Sequence, residues 1–198
     1  MTENVSSSPF TLKFMTIGLE ETVPLDIVPT KSGTLVSGIG DYDGCTQTDH
    51  TKYVNIHNPV IGNNSGIAVA SNKTTFVVRA GGKDDQSVVP LYYSNNSGTS
   101  WTAMSTTKSM GYQGRVCTNS DGSVILWCPN GSTTTHRSNN NGSSWSTVSG
   151  LSIQNAIPVA DQVNANKIYA HDANSGTFYI STNGGSSFSA GPNIGNSG

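Results

Sequence analysis

Ser138-Asn139-Asn140-Asn141-Gly142-Ser143-Ser144-Trp145 is one of three copies of a short phrase in this chain. The other copies are Ser94-Asn95-Asn96-Ser97-Gly98-Thr99-Ser100-Trp101 and Ser181-Thr182-Asn183-Gly184-Gly185-Ser186-Ser187-Phe188. The copies start at positions 94, 138 and 181, which gives a period of 43 to 44 residues. Self-similarity at roughly 40–50 residues is typical of the four-stranded blades of a β-propeller. The recurrence therefore predicts an all-β repeat fold.

Each copy has the composition of a tight hairpin turn. A short strand-like run precedes it, such as Thr133 to Arg137 before the second copy. The glycine takes a positive φ at little cost, and the Asn and Ser side chains can bond nearby backbone groups. The closing aromatic residue is expected to turn back over the core of its own blade. Trp101 and Trp145 are therefore expected in the core.

The phrase resembles the Asp-box, also called the bacterial neuraminidase repeat, with the pattern Ser/Thr-x-Asp-x-Gly-x-Ser/Thr-Trp/Phe. All three copies carry Asn at the Asp position, as Asn96, Asn140 and Asn183. An amide keeps the oxygen acceptor that the turn needs but has no negative charge. The resemblance therefore implies a folding role for the three copies, and function has to be argued from other residues.

Composition narrows the classes of function. The 198 residues are 34% hydrophobic and 11% charged, with 22 Gly, which favours one all-β domain with a core. The net charge of −2 gives no basic footprint, so no nucleic-acid partner is expected. No membrane contact is expected, because no apolar run approaches the roughly 20 residues that cross a bilayer. Several Asn-x-Ser/Thr sequons favour an extracellular, secreted protein, although no signal peptide is visible in this chain.

The cysteines and histidines predict neither a cofactor nor a metal site, because no third ligand accompanies His50 and His57 at metal spacing. Cys117 and Cys128 flank a turn around Asp121. If the hairpin centres on Asp121, Cys117 pairs with Ile125, and Cys128 lies three strand steps, about 10 Å, further along. This exceeds the Cα separation of roughly 7 Å that a disulfide allows, so free thiols are expected.

Trp127 lies in the apolar run Val124 to Cys128 and is expected to be buried. A role in stacking against a sugar ring is the alternative for this residue.

Strand-like runs and turn residues divide the chain into repeating units. We expect a single partial β-propeller domain over residues 1–198, with an incomplete first blade and long loop in residues 1–65. The three regular blades, each of four antiparallel strands, are predicted for residues 66–105, 114–149 and 155–190. Three blades and part of a fourth form an incomplete ring, so further propeller blades are expected from a longer protein or another copy. The first-blade strands are predicted at Phe10 to Phe14 and Val23 to Val28, and a loop from Cys45 to Ser65.

The stretch Ser37-Gly38-Ile39-Gly40-Asp41-Tyr42-Asp43-Gly44 is the candidate for chemistry. It places the carboxylates of Asp41 and Asp43 in a Gly-rich junction between a strand and a loop. In a propeller blade, such a junction can face the open end of the central channel. The stretch resembles the Ser-x-x-Gly-Asp-x-x-Gly-Phe segment of glycoside hydrolase family 74, the xyloglucanases and related glucanases. The upstream residues Gly18 to Thr22 also resemble that family. Family members have two seven-bladed propellers, and the Asp of this segment is one of two catalytic carboxylates.

The resemblance implies that Asp41 is one carboxylate of an inverting mechanism. One carboxylic acid protonates the leaving oxygen, and a carboxylate roughly 6.5–9.5 Å away activates water. The family's second carboxylate lies in a Thr-Asp-x-Gly-Gly motif, which does not occur in these 198 residues. We therefore expect part of a secreted glycoside hydrolase acting on a polysaccharide, β-1,4-glucan or xyloglucan. The residues expected to bind this substrate are Tyr42, Asp43, Gln47 and Asp49.

Two alternatives belong to other classes of protein. One is a non-catalytic Asp-box propeller module that binds a glycan or a protein. The other is a structural arc whose copies assemble and complete one another's rings.

Overall fold

The computed structural model describes residues 22–83 and 87–193. Fifteen strands form four antiparallel sheets, and the described residues contain one further regular element, a 3₁₀ helix at Ser105–Thr107. Within these ranges no helix has both the length and the apolar character needed to cross a membrane. The predictions for residues 10–14 and 18–21 lie outside the described residues.

The strand order in every sheet follows the order along the chain. The first sheet contains β1 (Val23–Pro29), β2 (Leu35–Gly40) and β3 (Thr46–Gln47). The second contains β4 (Gly66–Ala70), β5 (Lys73–Ala80), β6 (Leu91–Ser94) and β7 (Thr102–Ala103). The third contains β8 (Arg115–Thr118), β9 (Ile125–Cys128), β10 (His136–Ser138) and β11 (Ser146–Thr147). The fourth contains β12 (Val159–Ala160), β13 (Ile168–Asp172), β14 (Thr177–Ser181) and β15 (Ser189–Asn193).

The four sheets stack as propeller blades. Their first strands are neighbours in space, with β1 beside β4, β4 beside β8, and β8 beside β12. Apolar clusters lie between successive sheets, because each cluster draws side chains from two of them. Trp127 of the third sheet, for example, packs in one cluster with Phe76 of the second. The predicted all-β arc of propeller blades is confirmed.

The first sheet holds more strand structure than the sequence predicted. The segment predicted as a loop from Cys45 to Ser65 contains β3, and a single antiparallel bridge joins Cys45 to Ile56. The loop prediction was therefore wrong in its first part. A two-residue strand and an isolated bridge are too short to produce the alternation of apolar and polar residues that marks a strand.

The three phrases form hairpin turns with one repeated pattern of hydrogen bonds, which we call the repeat turns (residues 94–101, 138–145 and 181–188). In the second, the Ser138 hydroxyl donates to Asn140 Oδ1 at 2.9 Å and accepts from the Gly142 N–H at 2.9 Å. Asn140 Oδ1 also accepts from the Ser144 N–H at 3.0 Å, and its amide donates to the Ser144 hydroxyl at 2.8 Å. The other two turns repeat all four bonds.

The glycine of each repeat turn packs closely on a neighbouring side chain. Gly142 has a φ of 79°, and a Cβ at this position would lie 2.5 Å from Met104 Cγ. A Cβ at Gly98 would lie 2.6 Å from Thr46 Oγ1, and one at Gly185 would lie 2.7 Å from Leu126 Cδ1. Each of these neighbours belongs to the preceding unit of the chain. The repeat turns therefore join successive sheets as well as strands of one sheet.

The hairpin between β8 and β9 corrects one predicted register. Cys117 pairs with Leu126, and Thr118 pairs with Ile125, so the predicted pairing of Cys117 with Ile125 was wrong by one residue. The reason is a loop of even length, closed by the bond from the Asn119 N–H to the Val124 carbonyl. Cys117 and Cys128 are nevertheless free, as expected. Burial raises the pKa of Cys117 to about 12 and also raises that of Cys128, which keeps both thiols protonated.

Trp127 has no exposed surface, and its indole N–H donates to the Gln113 carbonyl at 2.7 Å. Its predicted burial is confirmed, and this position leaves no face for a sugar. Trp145 packs against it with ring centroids 6.2 Å apart. Trp101 and Trp145 are half-buried and pack against the clusters between sheets, whereas they were predicted in the core of their own blades.

Removing the serine hydroxyl of a repeat turn is expected to destabilise the fold. Ser138→Ala leaves the buried Gly142 N–H without its acceptor, which costs about 1–3 kcal/mol of unfolding free energy. Urea denaturation measures this loss. The control is Ser146→Ala on the exposed β11, where a change within about 0.5 kcal/mol is expected. Equal effects of the two substitutions would contradict the role assigned to the turn.

Candidate active site

The loop after β2 carries Asp41 in an unusual backbone conformation. Asp41 has a φ of 67° and Asp43 a φ of 70°, in the left-handed region that Asp tolerates better than most residues. The Asp41 N–H donates to Asn63 Oδ1 at 2.9 Å, which fixes the loop to the connection that leads to β4. Gly44 ends the loop with a φ of 104°, and a Cβ there would collide with the Ser37 carbonyl oxygen. The sequence of the loop thus specifies one backbone path.

This backbone path separates the two carboxylates. Asp41 is exposed, as is the neighbouring Tyr42, whose exposed fraction is 51%. Asp43 has an exposed fraction of 0% and points into the protein. In this structure the Asp43 carboxylate therefore faces other protein groups, and a substrate would meet Asp41 and Tyr42 only.

Asp43 forms a buried ion pair with Arg79 of β5. Arg79 Nη1 lies 3.3 Å from Asp43 Oδ1, and both side chains have an exposed fraction of 0%. Asp43 Oδ2 accepts from the Ile61 N–H at 2.6 Å, and Arg79 Nη2 donates to the Pro59 carbonyl at 2.6 Å. The pair therefore binds both the Asp41 loop and the segment that precedes Asn63.

Two aromatic rings enclose the Arg79 guanidinium. Its central carbon lies 4.6 Å from the centroid of Trp101 and 5.1 Å from that of Tyr92. Burial raises the pKa of Asp43 and lowers that of Arg79, and the charge of each partner opposes the shift of the other. The guanidinium stays charged because arginine has so high a pKa in water, and the rings attract it through their π faces.

His57 is a second buried polar group under the loop. Its Nε2 lies 3.0 Å from the Ser37 carbonyl, its backbone N–H donates to the Gly44 carbonyl, and its ring meets Trp101 edge-on. Burial, and then the charge of Arg79, lower the pKa of His57 to about 4. The ring is therefore neutral near pH 7, and its Nε2–H donates to Ser37. In the ranges that the structure describes, no group of three His, Cys, Asp or Glu side chains is placed to hold a metal.

Gln47 and Asp49 lie at the other end of the first sheet. Gln47 pairs with Leu35 at the start of β2, whereas Asp41 follows Gly40, the end of that strand, which lies five residue steps or roughly 17 Å from Leu35. The Gln47 amide donates to the carbonyls of Asp49 and Lys52 at 2.7 and 2.8 Å. Asp49 accepts from the Thr51 backbone and hydroxyl, which lowers its pKa. The structure thus places Asp41, Tyr42 and Asp43 in one loop, Gln47 at the end of β3 and Asp49 in the turn after it. Tyr42 and Gln47 nevertheless line one open pocket on the first sheet.

Asn63 and Arg79 belong to the site but were not predicted from the sequence. Asn63 carries no signal in the sequence, since it is one Asn among many. Arg79 does carry a signal, because it interrupts the apolar run Phe76 to Ala80 near the end of β5. A lone charge in a strand that is otherwise buried predicts a buried partner of opposite charge.

Several proteins similar to this chain in sequence or structure are named xyloglucanases or GH74 enzymes. A xyloglucanase of a Paenibacillus species is 32% identical over 185 residues, which cover 90% of this chain and 18% of the relative. The GH74 enzyme of Niastella koreensis matches with a TM-score of 0.79 and 39% identity, covering 87% of this chain and 24% of that one. The chain is a partial relative of glycoside hydrolase family 74.

A second solved structure supports this family relationship. The GH74 xyloglucanase of Xanthomonas campestris matches with a TM-score of 0.77 and 32% identity over 87% of this chain and 25% of that enzyme. No family model matches the chain. The family 74-like chain thus spans about a fifth to a quarter of the length of these relatives.

The buried His57 is expected to make stability depend on pH. Its pKa of about 4 in the folded protein lies below the value of 6.5 for a free side chain, so the unfolded chain binds more protons between these values. Stability therefore falls as pH drops from 6.5 to 4, by about 3 kcal/mol in total.

Urea denaturation at pH 7.5 and 4.5 tests this expectation. His57→Gln keeps an N–H that can reach the Ser37 carbonyl and removes the titration, so the variant should lose much less stability at pH 4.5 than the wild type. An equal loss in both proteins would assign the acid sensitivity to other groups.

Proposed function

We propose that this chain forms part of a secreted glycoside hydrolase that cleaves β-1,4-glucan or xyloglucan by inversion. Asp41 supplies one of the two carboxylates. The observation that carries this proposal is the contrast within the loop: Asp41 is exposed and held by Asn63, whereas Asp43 is buried and paired. Relatives that are named xyloglucanases support the substrate class.

The conformation of the loop suits a reacting group. A carboxylate that acts as acid or base has to be held in position before the substrate arrives, since rate falls when a reacting group is misplaced by even 1 Å. Residues in sparsely populated backbone conformations concentrate at functional sites. Three residues with a positive φ lie in this loop or hold it: Asp41, Asp43 and Asn63.

Tyr42 is proposed as a substrate-binding residue. Its ring is half exposed beside Asp41, and an aromatic face offers a pyranose ring an apolar surface with a polar hydroxyl at its edge. Asp43 is buried beneath the loop and is proposed to support it through its ion pair with Arg79. Gln47 and Asp49 close the turn after β3, so their proposed place is in the support of the first sheet.

The second carboxylate of the mechanism is proposed to come from another part of a longer protein. Residues 1–198 then form one partial propeller domain, and the repeat turns are Asp-boxes in which Asn replaces Asp. Three apolar side chains of β1 support a further blade next to the first sheet, because Val23, Leu25 and Ile27 are 50%, 39% and 60% exposed. In the first strands of the second and third sheets, by contrast, Ile67, Val116 and Cys117 are buried.

A non-catalytic glycan-binding module is the second candidate. The absence of a Thr-Asp-x-Gly-Gly motif from these 198 residues favours it. Such a module would bind xyloglucan oligosaccharides through Tyr42 with no dependence on the charge of Asp41.

A segment exchange tests the hydrolase proposal. This chain replaces the matching 185-residue segment of the Paenibacillus xyloglucanase, and released reducing ends are measured on xyloglucan. Asp41→Asn is expected to lower kcat by about 10²–10⁴-fold, as the loss of an acid or base does, with little change in KM. Asn also tolerates a positive φ, so the loop keeps its conformation.

The matched control is Asp121→Asn, an exposed acidic residue in the turn between β8 and β9 of the third sheet, and this variant is expected to keep kcat within about twofold. A chimera that hydrolyses xyloglucan equally well with Asn at position 41 would remove Asp41 from the mechanism. In that case, oligosaccharide affinity that falls in Tyr42→Ala would favour the binding module.

A further inference from the structure

Arg79 is a buried charge at a position where the equivalent strands of the other two regular sheets have an apolar residue. The registers of the sheets make positions comparable, because Val77, Ile125 and Ile168 pair with the serines of the three repeat turns. Two residues further along β5, β9 and β13 lie Arg79, Trp127 and Ala170. The other two sheets therefore fill this position with an apolar side chain, and only the sheet beside the Asp41 loop carries a charge there.

The surroundings of Arg79 show what this charge contacts. The guanidinium crosses from the second sheet to the first, where it meets Asp43, and it also donates to the Pro59 carbonyl. Asp43 in turn accepts from the Ile61 N–H. Two segments that are far apart in the chain, 41–44 and 59–63, are thus bound to one cation.

The second segment ends at the residue that holds Asp41. Asn63 lies two residues beyond Ile61, and its side-chain oxygen accepts from the Asp41 N–H at 2.9 Å. The contacts therefore run from Arg79 through Asp43 and Ile61 to Asn63 and back to Asp41. Asp43, near the start of this chain of contacts, and Asp41, at its end, belong to the same loop.

We propose that Asp43 and Arg79 are positioning residues for Asp41. Their ion pair holds segments 41–44 and 59–63 together, so that Asn63 keeps the Asp41 backbone in its left-handed conformation and the carboxylate faces outward. The expected effect on catalysis rests on the proposed function of Asp41. The expected effect on the Asp41 backbone does not depend on that function.

General stabilisation of the fold is a poor explanation for the pair. Two charges have to lose their hydration to be buried, and replacing such a pair by apolar groups of similar size is often neutral or stabilising. The Trp127 position shows that the same fold accepts an apolar residue at this point. A specific geometric task accounts for the charge better.

Three variants separate positioning from stability: Asp43→Asn, Arg79→Met and the double variant. Each single substitution leaves one buried group without its partner and should lower the urea midpoint. The double variant leaves no unpaired charge, so its midpoint should return towards that of the wild type. Asn at position 43 tolerates the positive φ of that residue.

The decisive measurement is hydrogen exchange of the Asp41 amide, followed by NMR in the 198-residue chain. Exchange is expected to rise on the order of tenfold or more in the double variant despite its restored stability, because the Asn63 acceptor is no longer held. The amide of Gly142 in a distant repeat turn serves as the internal reference and should keep its rate. The matched control is Asp49→Asn with Lys52→Met, which removes the exposed 3.0 Å ion pair of the same sheet and should leave the Asp41 amide unchanged.

The chimeric xyloglucanase supplies the functional readout. The double variant is expected to lower kcat by about tenfold or more while KM stays within about twofold, since a displaced reacting group affects the transition state more than binding.

Wild-type exchange of the Asp41 amide in the double variant would overturn the inference, whatever Asp41 does in catalysis. An unchanged kcat in Asp41→Asn would instead overturn the proposed function and leave the exchange result standing. The two failures are therefore distinguishable.

Discussion

The hydrogen bond from a glycine N–H to a serine hydroxyl, repeated in each repeat turn, is the interaction on which the architecture depends. Ser138 accepts from Gly142 and donates to Asn140, so one hydroxyl closes the turn between the third and fourth strands. The closed turn brings the bare glycine backbone against the preceding unit. The glycine makes both contacts: its N–H bonds the serine hydroxyl, and its backbone packs against the preceding unit. A short phrase with a regular spacing is therefore sufficient to define a row of stacked sheets.

The junction between the first and second sheets is built differently from the others. Its apolar cluster has three fully buried members, Val36, Ile67 and Val77, whereas the junctions further along contain many more. The Asp43–Arg79 pair and the ring of Trp101 fill the remaining space. A polar junction has directional contacts, which an apolar one lacks. This junction lies under the loop in which the Asp41 backbone N–H donates to Asn63.

The sequence was sufficient to predict the sheets because their signal is repeated. The period of the phrases, together with short apolar runs, located the strands of the three regular blades. The first sheet was harder, since β3 has two residues and Ile56 forms a single bridge, lengths at which no periodicity exists. The predicted register of Cys117 was wrong by one residue. The Asn119 side chain accepts from the Val124 N–H and closes the loop there, and the pattern of strand residues does not encode this contact.

The candidate site was predictable only in part, for a geometric reason. The segment resemblance identified Asp41, but Asp41 and Asp43 are two residues apart, a spacing that in a strand puts both side chains on one face. The positive φ of both residues removes that alternation and turns Asp43 inward. Which of two acidic residues is buried then depends on a partner 36 positions away, Arg79, and no local pattern contains it.

Pairing Asp43 also changes the charge that Asp41 experiences. Two exposed carboxylates in one short loop would repel each other. Arg79 compensates the charge of Asp43 inside the protein, so the exposed surface of the loop carries the charge of one carboxylate. The same contact that fixes the backbone of the loop therefore leaves Asp41 as the one exposed carboxylate of this loop.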